Sequence, residues 1–389
     1  MKYCHVAAIT TLVFIITASV AWAQSVHIGI VASLSGSASD AGMAQEAAIA
    51  ALKAELAATG IHGLDVELSI IDDRSLPDLT LDIVRGLVEE GAHALICCTT
   101  LSATRLVAPY LHQQGVLMLS PSGLPSSSGD LERPFWTFSL RADERTIMAA
   151  IALHLANSGV HSVGLMTLDN SFGRVVRNAL SESLATAHVD LAGEALYRPG
   201  VTVLTPEALW VATKQPGAVV VWGLEPDVAL AVSGLRQRGY EGPIYVSSEF
   251  APRIDIGYET IRVGELRSTV MPIAVVDTLD ETHASYVEST SFANIMRARY
   301  GRERVPVEGA STYDAVRLLV KGIEQVMVLG ISPREISQFR QALRDSVIGL
   351  QPTTGASGIL DLIEQSVNAT LPKGLAVAVV RAGTLHHLP

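Results

Sequence analysis

The chain has 389 residues, 49% of them hydrophobic, a formal net charge of −11 and three cysteines. An acidic balance without a basic patch argues against a nucleic-acid partner. So few cysteines make no disulfide framework, so stability has to come from packing.

Lys2 is followed by an apolar stretch over 6–20 and then by Ala21-Trp22-Ala23. A positive start, an apolar core and an A-x-A ending read as a secretory signal over 1–23, cleaved before Gln24, with the periplasm as destination. The competing reading is an uncleaved membrane anchor, since 6–22 just reaches across a bilayer. Thr10, Thr11, Thr17 and Ser19 weaken that span. Cys4 precedes the apolar core, so it is not placed like a lipoprotein anchor and leaves with the signal. No later segment has the length and apolarity to cross a membrane. About 365 residues remain, more than one comfortable core, which predicts two domains.

The chain after the signal alternates apolar runs with helical patterns. Strands are predicted over 26–34, 66–71, 93–98 and 116–119, and helices over 43–58, 79–90 and 102–114. The strands are near-continuous apolar runs, as parallel strands covered on both faces require. Repeated β-α units of this length predict a doubly wound open sheet. The polar stretch 120–134 (SPSGLPSSSGDLERP) interrupts the rhythm, "FWTFSL" leads to Arg141, and a second series begins. It carries helices over 144–157, from Gly173 and over 226–238, and strands over 162–168, 218–222 and 244–246. Two such series imply two α/β lobes around a cleft, with the carboxyl ends of the strands facing it. Helices over 285–300, 313–328 and 333–344 and a strand-rich stretch over 358–388 return to the first lobe and then the second. The expected boundaries are 24–141 plus 274–347 for lobe 1 and 142–273 plus 348–389 for lobe 2. Three crossings then form a hinge.

The adjacent pair Cys97-Cys98 raises the question of a metal or redox site. No C-x-x-C and no paired histidine lies nearby, a bond between adjacent cysteines strains its ring, and a cysteine at the end of an apolar strand behaves as a small buried hydrophobe. The pair therefore reads as packing. The hydroxyl cluster just after it is more informative. Thr99, Thr100, Ser102 and Thr104 stand where a strand gives way to a helix. A helix N-terminus has unpaired amides and partial positive charge, and hydroxyls beside it make a carboxylate site. The plainer alternative is that Thr100 or Ser102 only caps the helix. "LMLSPSG" ends the neighbouring strand and would bring Ser120 and Ser122 beside Ser102. Ser126 to Ser128 read as a solvated loop. In the second series "IYVSSEF" puts Glu249 beyond a strand end, either as a partner for a ligand ammonium or as a solvated loop residue. "LDNSFGRVV" puts Phe172-Gly173 at a strand-to-helix turn, where the ring covers a ligand or simply packs.

Enzyme motifs are scarce. No G-x-G-x-x-G follows the first strand, and no phosphate loop or G-x-S-x-G turn is present. Asp72-Asp73 are adjacent, so on a strand they point to opposite faces; they read as the start of the turn before Pro77. The eleven histidines are scattered. Asn368-Ala369-Thr370 matches a glycosylation triplet, a weak signal.

Taken in order, "IGIVASLSGSASDAG", "IDDRSLPD", "GVLMLSPSG", "FSLRADE", "LDNSFGR" and "GYEGPIYVSSEF" make the chain resemble the Leu/Ile/Val-binding family of periplasmic solute-binding proteins of ABC importers, along nearly its whole length after the signal. The resemblance implies the type I periplasmic-binding-protein fold, two lobes joined by a three-strand hinge, which binds a solute without altering it. It also implies an ABC permease in the inner membrane as partner, with no cofactor and no metal. The first lobe's hydroxyls and amides would hold the solute's α-carboxylate, which falls on Ser102, with Thr100 near it, and on the Ser122-Gly123 turn. Glu249 matches the acid that takes the α-ammonium. There are departures. Ala41 stands where an aromatic is common, Phe172 replaces a tyrosine, Leu124 replaces a hydroxyl residue, and Leu224-Glu225 stand where aromatics are frequent. The solute is therefore another amino acid, an amide or a small carboxylate, bound by a monomer. The rival functions are a ligand-sensing subunit of a membrane receptor and an exported α/β enzyme. The missing motifs disfavour the enzyme.

Overall fold

The computed structural model describes residues 25–59, 65–124, 135–223, 225–247, 269–274, 276, 279–300, 307–363, 366–381 and 384–388. The expected signal peptide, the serines at 126–128, Leu224 and Glu249 lie outside them.

The first series runs β1 (Ser25–Ala32), α1 (Ser39–Thr59), β2 (Asp65–Asp72), α2 (Pro77–Glu89), β3 (Ala94–Ile96), α3 (Leu101–Gln114), β4 (Leu117–Ser120) and β5 (Thr137–Ser139). These five strands form a parallel sheet in the order β2-β1-β3-β4-β5. Alternation along each strand feeds two separate cores. Val26, Ile28 and Ile30 of β1, Ala94 and Ile96 of β3, and Leu117 and Leu119 of β4 enter the core under α1. Val31, Leu95 and Met118 enter the opposite core, under α2 and α3. Burial on both faces is why these strands read as continuous apolar runs.

The second series runs α4 (Glu144–Asn157), β6 (Ser162–Leu168), α5 (Ser171–Thr186), β7 (Asp190–Tyr197), α6 (Thr205–Thr213), β8 (Ala218–Trp222), α7 (Glu225–Gln237), β9 (Ile244–Tyr245) and β10 (Thr269–Ala274). The return supplies α8 (Tyr286–Tyr300), α9 (Val307–Val328), α10 (Ile336–Ile348), the short pair β11 (Thr353–Thr354) and β12 (Ile359–Leu360), and then β13 (Leu375–Arg381) and β14 (Thr384–Leu388). The second sheet has the order β14-β13-β10-β9-β8-β6-β7, and β10, β13 and β14 pair antiparallel at one side. Val219, Val221 and Ile244 face one core; Ala218, Val220 and Tyr245 face the other. The helices that return, α8 to α10, belong to the first sheet: Phe292, Val316, Leu319 and Phe339 share the core of β1. So do Ala356, Leu360, Leu362, Val367 and Ala369.

The predicted bounds of α4, β6 and β8 match the structure. β7 and α6 were not anticipated. β7 is an edge strand with mixed burial and a glycine, and α6 buries only Ala208 and Val211, so neither shows a strong apolar period. α9 starts at Val307, earlier than its apolar pattern suggested, because Gly309, Ser311 and Thr312 are buried there without being hydrophobic.

The chain passes between the sheets three times. The first and third passages lie side by side: Ser139 N–H donates to the Val367 carbonyl (2.7 Å) and Ala369 N–H to the Ser139 carbonyl (2.8 Å). Asn368 is 8% exposed. Its Nδ2 donates to Thr146 Oγ1 (3.3 Å) and its Oδ1 accepts from Thr370 N–H (2.9 Å). The amide of the would-be glycosylation triplet is thus used internally. In the second passage Asp280 accepts from His387 Nε2 at 3.0 Å.

Candidate functional site

In the first sheet the chain steps from β1 outward to β2, with α1 on one face, and returns to β3 on the other side of β1, with α2 on the opposite face. The carboxyl ends of β1 and β3 are therefore a topological switch point, where α/β sheets form their binding crevice. Polar side chains are buried there and bonded to one another. Ser33 N–H donates to Thr99 Oγ1 at 2.8 Å. Thr99 Oγ1 in turn donates to Gln45 Oε1 at 2.5 Å, and Gln45 Nε2 reaches Thr312 Oγ1 of α9 at 3.1 Å. Ser33 Oγ donates to Asp73 Oδ1 at 2.7 Å, and Thr80 Oγ1 to Asp73 Oδ2 at 2.8 Å. Asp72 receives the hydroxyl and amide of Ser35 and the amide of Arg74. Burial pushes its carboxyl up, but these bonds outweigh it and hold the group below its ordinary value. The aspartate pair therefore does more than begin a turn: it ties the loop after β2 to the loop after β1.

Thr100 caps α3, accepting from Ala103 N–H at 3.4 Å, so the plainer reading of this residue describes its hydroxyl. The cap leaves Ser102 presented in the first turn. It is exposed, and its Oγ lies 3.2 Å from Thr100 Oγ1. First-turn amides of a helix have no partner inside it; Thr100 takes that of Ala103, which leaves those of Leu101 and Ser102, with partial positive charge, at the carboxyl edge of the sheet. Thr104, one turn on, joins the neighbouring strand: its Oγ1 lies 2.7 Å from Ser122 Oγ and 3.2 Å from Ser120 Oγ. The Ser122 carbonyl accepts from Ser120 Oγ (3.0 Å) and Ser139 Oγ (3.1 Å). The strand end at 120–122 thus lies against the α3 N-terminus, but the Ser122 hydroxyl is 3% exposed and committed to Thr104. At Gly123, among the described residues and leaving out its chain neighbours, no atom lies within 4 Å of where a side chain would begin. Leu124, the departure from the hydroxyl pattern, is 3% exposed and sits in the core under α1.

Cys97 and Cys98, at the end of β3, are fully buried in the α2–α3 core, as the packing reading expects. The expectation that ring strain disfavours a bond between neighbours is overturned, because the two are joined to each other by a disulfide.

The second sheet has a corresponding edge. Asn170 caps α5 by accepting from Gly173 N–H at 3.0 Å. A Cβ on Gly173 would stand 1.8 Å from the Leu168 carbonyl oxygen, so only glycine lets α5 begin this close to β6. Gly42 of α1 meets the Ser33 carbonyl the same way, at 1.9 Å. Both series thus press a helix against the end of its preceding strand. Phe172, in the first turn of α5, is 36% exposed and stands clear of the core. Across this edge, Tyr197 Oη packs against Gly223, buried and without a partner among the described residues. Burial, and then the nearby Asp227, raise its phenol above the ordinary value.

Sequence reasoning did not identify Ser33, Gln45 and Asp73 as members of this edge. Gln45 carried a usable signal, a polar residue on the apolar stripe of α1 with Ala48, Ile49 and Leu52. Among the described residues no group of three or more His, Cys, Asp or Glu side chains is arranged to hold a metal, and no helix is long and apolar enough to cross a membrane.

Both sheets thus carry a capped helix and a close-packed glycine at the ends of their strands. Residues 25–382 match the family described as periplasmic binding protein. The chain belongs to that family, in its Leu/Ile/Val-binding type, which consists of solute-binding proteins rather than enzymes. No curated protein matches the chain in sequence. Among solved structures it is similar to an extracellular ligand-binding receptor from Rhodopseudomonas palustris HaA2 (18% identity, TM-score 0.72, covering 94% of this chain and 100% of that one). It is also similar to a leucine binding protein, LivK, from Thermotoga maritima MSB8 (19%, 0.67, 94% and 98%). A third is an ABC transporter substrate-binding protein from Desulfitobacterium hafniense in complex with Leu (16%, 0.69, 94% and 100%). At these identities the likeness is one of fold.

Proposed function

We propose that the protein is the solute-binding component of an ABC importer, exported by cleavage of its 1–23 signal and working as a periplasmic monomer. It takes an amino acid, or a related small amide or carboxylate, into the cleft between two lobes and hands it to a permease in the inner membrane. Lobe 1 comprises 24–141 with 274–347 and lobe 2 comprises 142–273 with 348–389, except that the third passage runs at 367–370 rather than at 347, because Ala356, Leu360, Leu362, Val367 and Ala369 pack in the first core. The observation that carries this reading is the exposed start of α3 at the switch point, where Ser102 stands beside the cap residue Thr100 while neighbouring hydroxyls are already satisfied. A solute carboxylate would accept from the Ser102 hydroxyl and the amides of Leu101 and Ser102, with the Ser122-Gly123 turn bordering it. Glu249 takes the ammonium, and Phe172 and Leu224 cover the side chain. Because the solute touches both lobes, it favours the closed form and shifts the population toward it.

The test is a thermal-shift screen of amino acids, amides and small organic acids, in which a ligand raises the melting temperature by mass action. Glu249→Gln is expected to weaken an amino-acid ligand at least tenfold, roughly the loss of one charge-assisted bond, with melting of the empty protein unchanged. Equal affinity in the variant refutes the ammonium role.

A further inference from the structure

The Cys97–Cys98 disulfide sits at one end of the candidate site, and its place in the chain gives it more than a packing role. It ends β3 at the switch point. The next two residues are Thr99, which accepts the Ser33 amide and bonds Gln45, and Thr100, which caps α3. Cys97 N–H is itself tied to the Leu119 carbonyl of β4 at 3.3 Å. A bond between neighbouring side chains closes no chain loop, so it does little to restrict the unfolded chain over any distance. What it restricts is local. The side chains and the peptide between them become one small covalent ring, and rotation on both sides of that peptide is lost.

We propose that this disulfide is a positioning element of the solute site: closing the ring fixes the 97–100 corner, and so the aim of the α3 N-terminus. In the dithiol form Thr99 and Thr100 no longer hold their bonds to Ser33 and Ala103 as persistently, and a ligand must reorder the corner when it binds. Reordering about one residue's backbone corresponds to roughly a tenfold loss of affinity. The inference rests on the solute-binding reading above, and its test separates the two.

The full chain, exported and purified without reductant, is first alkylated under denaturing conditions before and after treatment with a water-soluble phosphine. In that reduction the phosphine attacks one sulfur, the S–S bond breaks, water supplies the oxygen of the phosphine oxide, and the two sulfurs leave as thiols. Alkylation is expected only after reduction, and free thiols beforehand overturn the proposal. Because both cysteines are fully buried, the double variant Cys97→Ala/Cys98→Ala supplies the unbridged corner without reductant. Hydrogen exchange is then read at three amides. Those of Ser33 and Ala103 report the corner, and that of Val219, bonded to the Pro243 carbonyl at 3.0 Å in the second sheet, reports the rest. Exchange about tenfold faster at Ser33 and Ala103, with Val219 unchanged, is the expected result. Unchanged rates at all three, or equal acceleration at all three as general destabilisation would give, overturn it. In a parallel titration with L-leucine the bridged chain is expected to bind about tenfold more tightly than the double variant, and equal affinity overturns the proposal. If leucine binds neither form, the choice of leucine as solute fails, and the exchange rates alone decide the role of the disulfide.

Discussion

Thr99→Val removes one oxygen from the point where β1, β3 and α1 meet, and the structure sets the cost. The Thr99 side chain is 6% exposed. Its hydroxyl is the acceptor for Ser33 N–H at 2.8 Å and a donor to Gln45 Oε1 at 2.5 Å. Valine has nearly the same shape, so packing survives while both partners are stranded in a buried place. Each unsatisfied group costs about 1–3 kcal/mol, and the added methyl returns about 1 kcal/mol, for a net loss near 3 kcal/mol. Thr99→Ser keeps both bonds and loses one methyl, about 1 kcal/mol. Combining Thr99→Val with Gln45→Leu removes one stranded group, so the double variant should be more stable than the sum of the singles by about 1–2 kcal/mol. Equilibrium urea unfolding, compared by midpoint at unchanged slope, measures all of these. If Thr99→Val unfolds at the midpoint of the unsubstituted chain, or above that of Thr99→Ser, the hydroxyl does not hold this edge together.

Asp314 of α9 is buried and accepts from Ala356 N–H (2.7 Å), Ser357 N–H (2.8 Å) and Ser357 Oγ (2.6 Å). Burial outweighs these bonds and lifts its carboxyl from 3.8 to about 6. The folded state therefore binds this proton more tightly than the unfolded one, so the group's contribution is full below pH 4 and lost as pH rises through about 6. Asp314→Asn should remove a slope on the order of 3 kcal/mol between those limits, read from urea midpoints against pH; parallel profiles for the two chains refute the assignment. Gly173→Ala drives a methyl to 1.8 Å from the Leu168 carbonyl oxygen and should cost about 3 kcal/mol in urea unfolding, whereas Gly86→Ala, with nothing among the described residues outside its own helix backbone within 4 Å, should be neutral or stabilising. The two serines should part company. Ser122→Ala breaks the 2.7 Å bond to Thr104 and costs about 1 kcal/mol of stability. Exposed Ser102→Ala leaves unfolding within about 0.5 kcal/mol but weakens the solute in a titration.

The arrangement of two α/β series was legible in the sequence because strands covered on both faces must be apolar at every position. The run from Ala218 to Trp222 shows how far that goes: AVVVW is five buried residues in a row, and its bounds were recovered from sequence alone. β7 was not legible, because an edge strand has one solvated side and spreads its burial unevenly. The α3 N-terminus was visible as hydroxyls following an apolar run, a local pattern. The division of labour among those hydroxyls was not. Thr100 caps, Ser122 is bound to Thr104, and Ser102 is left exposed. That sorting depends on which residues from α1, β1, β4 and β5 arrive at the same point, and Gln45, Ser33 and Ser139 are far from Thr99 along the chain. Periodicity records which side of an element is buried, so the sequence determined the layers. A hydrogen bond depends on the position of both partners, so only the tertiary structure decided which polar groups the fold consumes and which remain for a ligand.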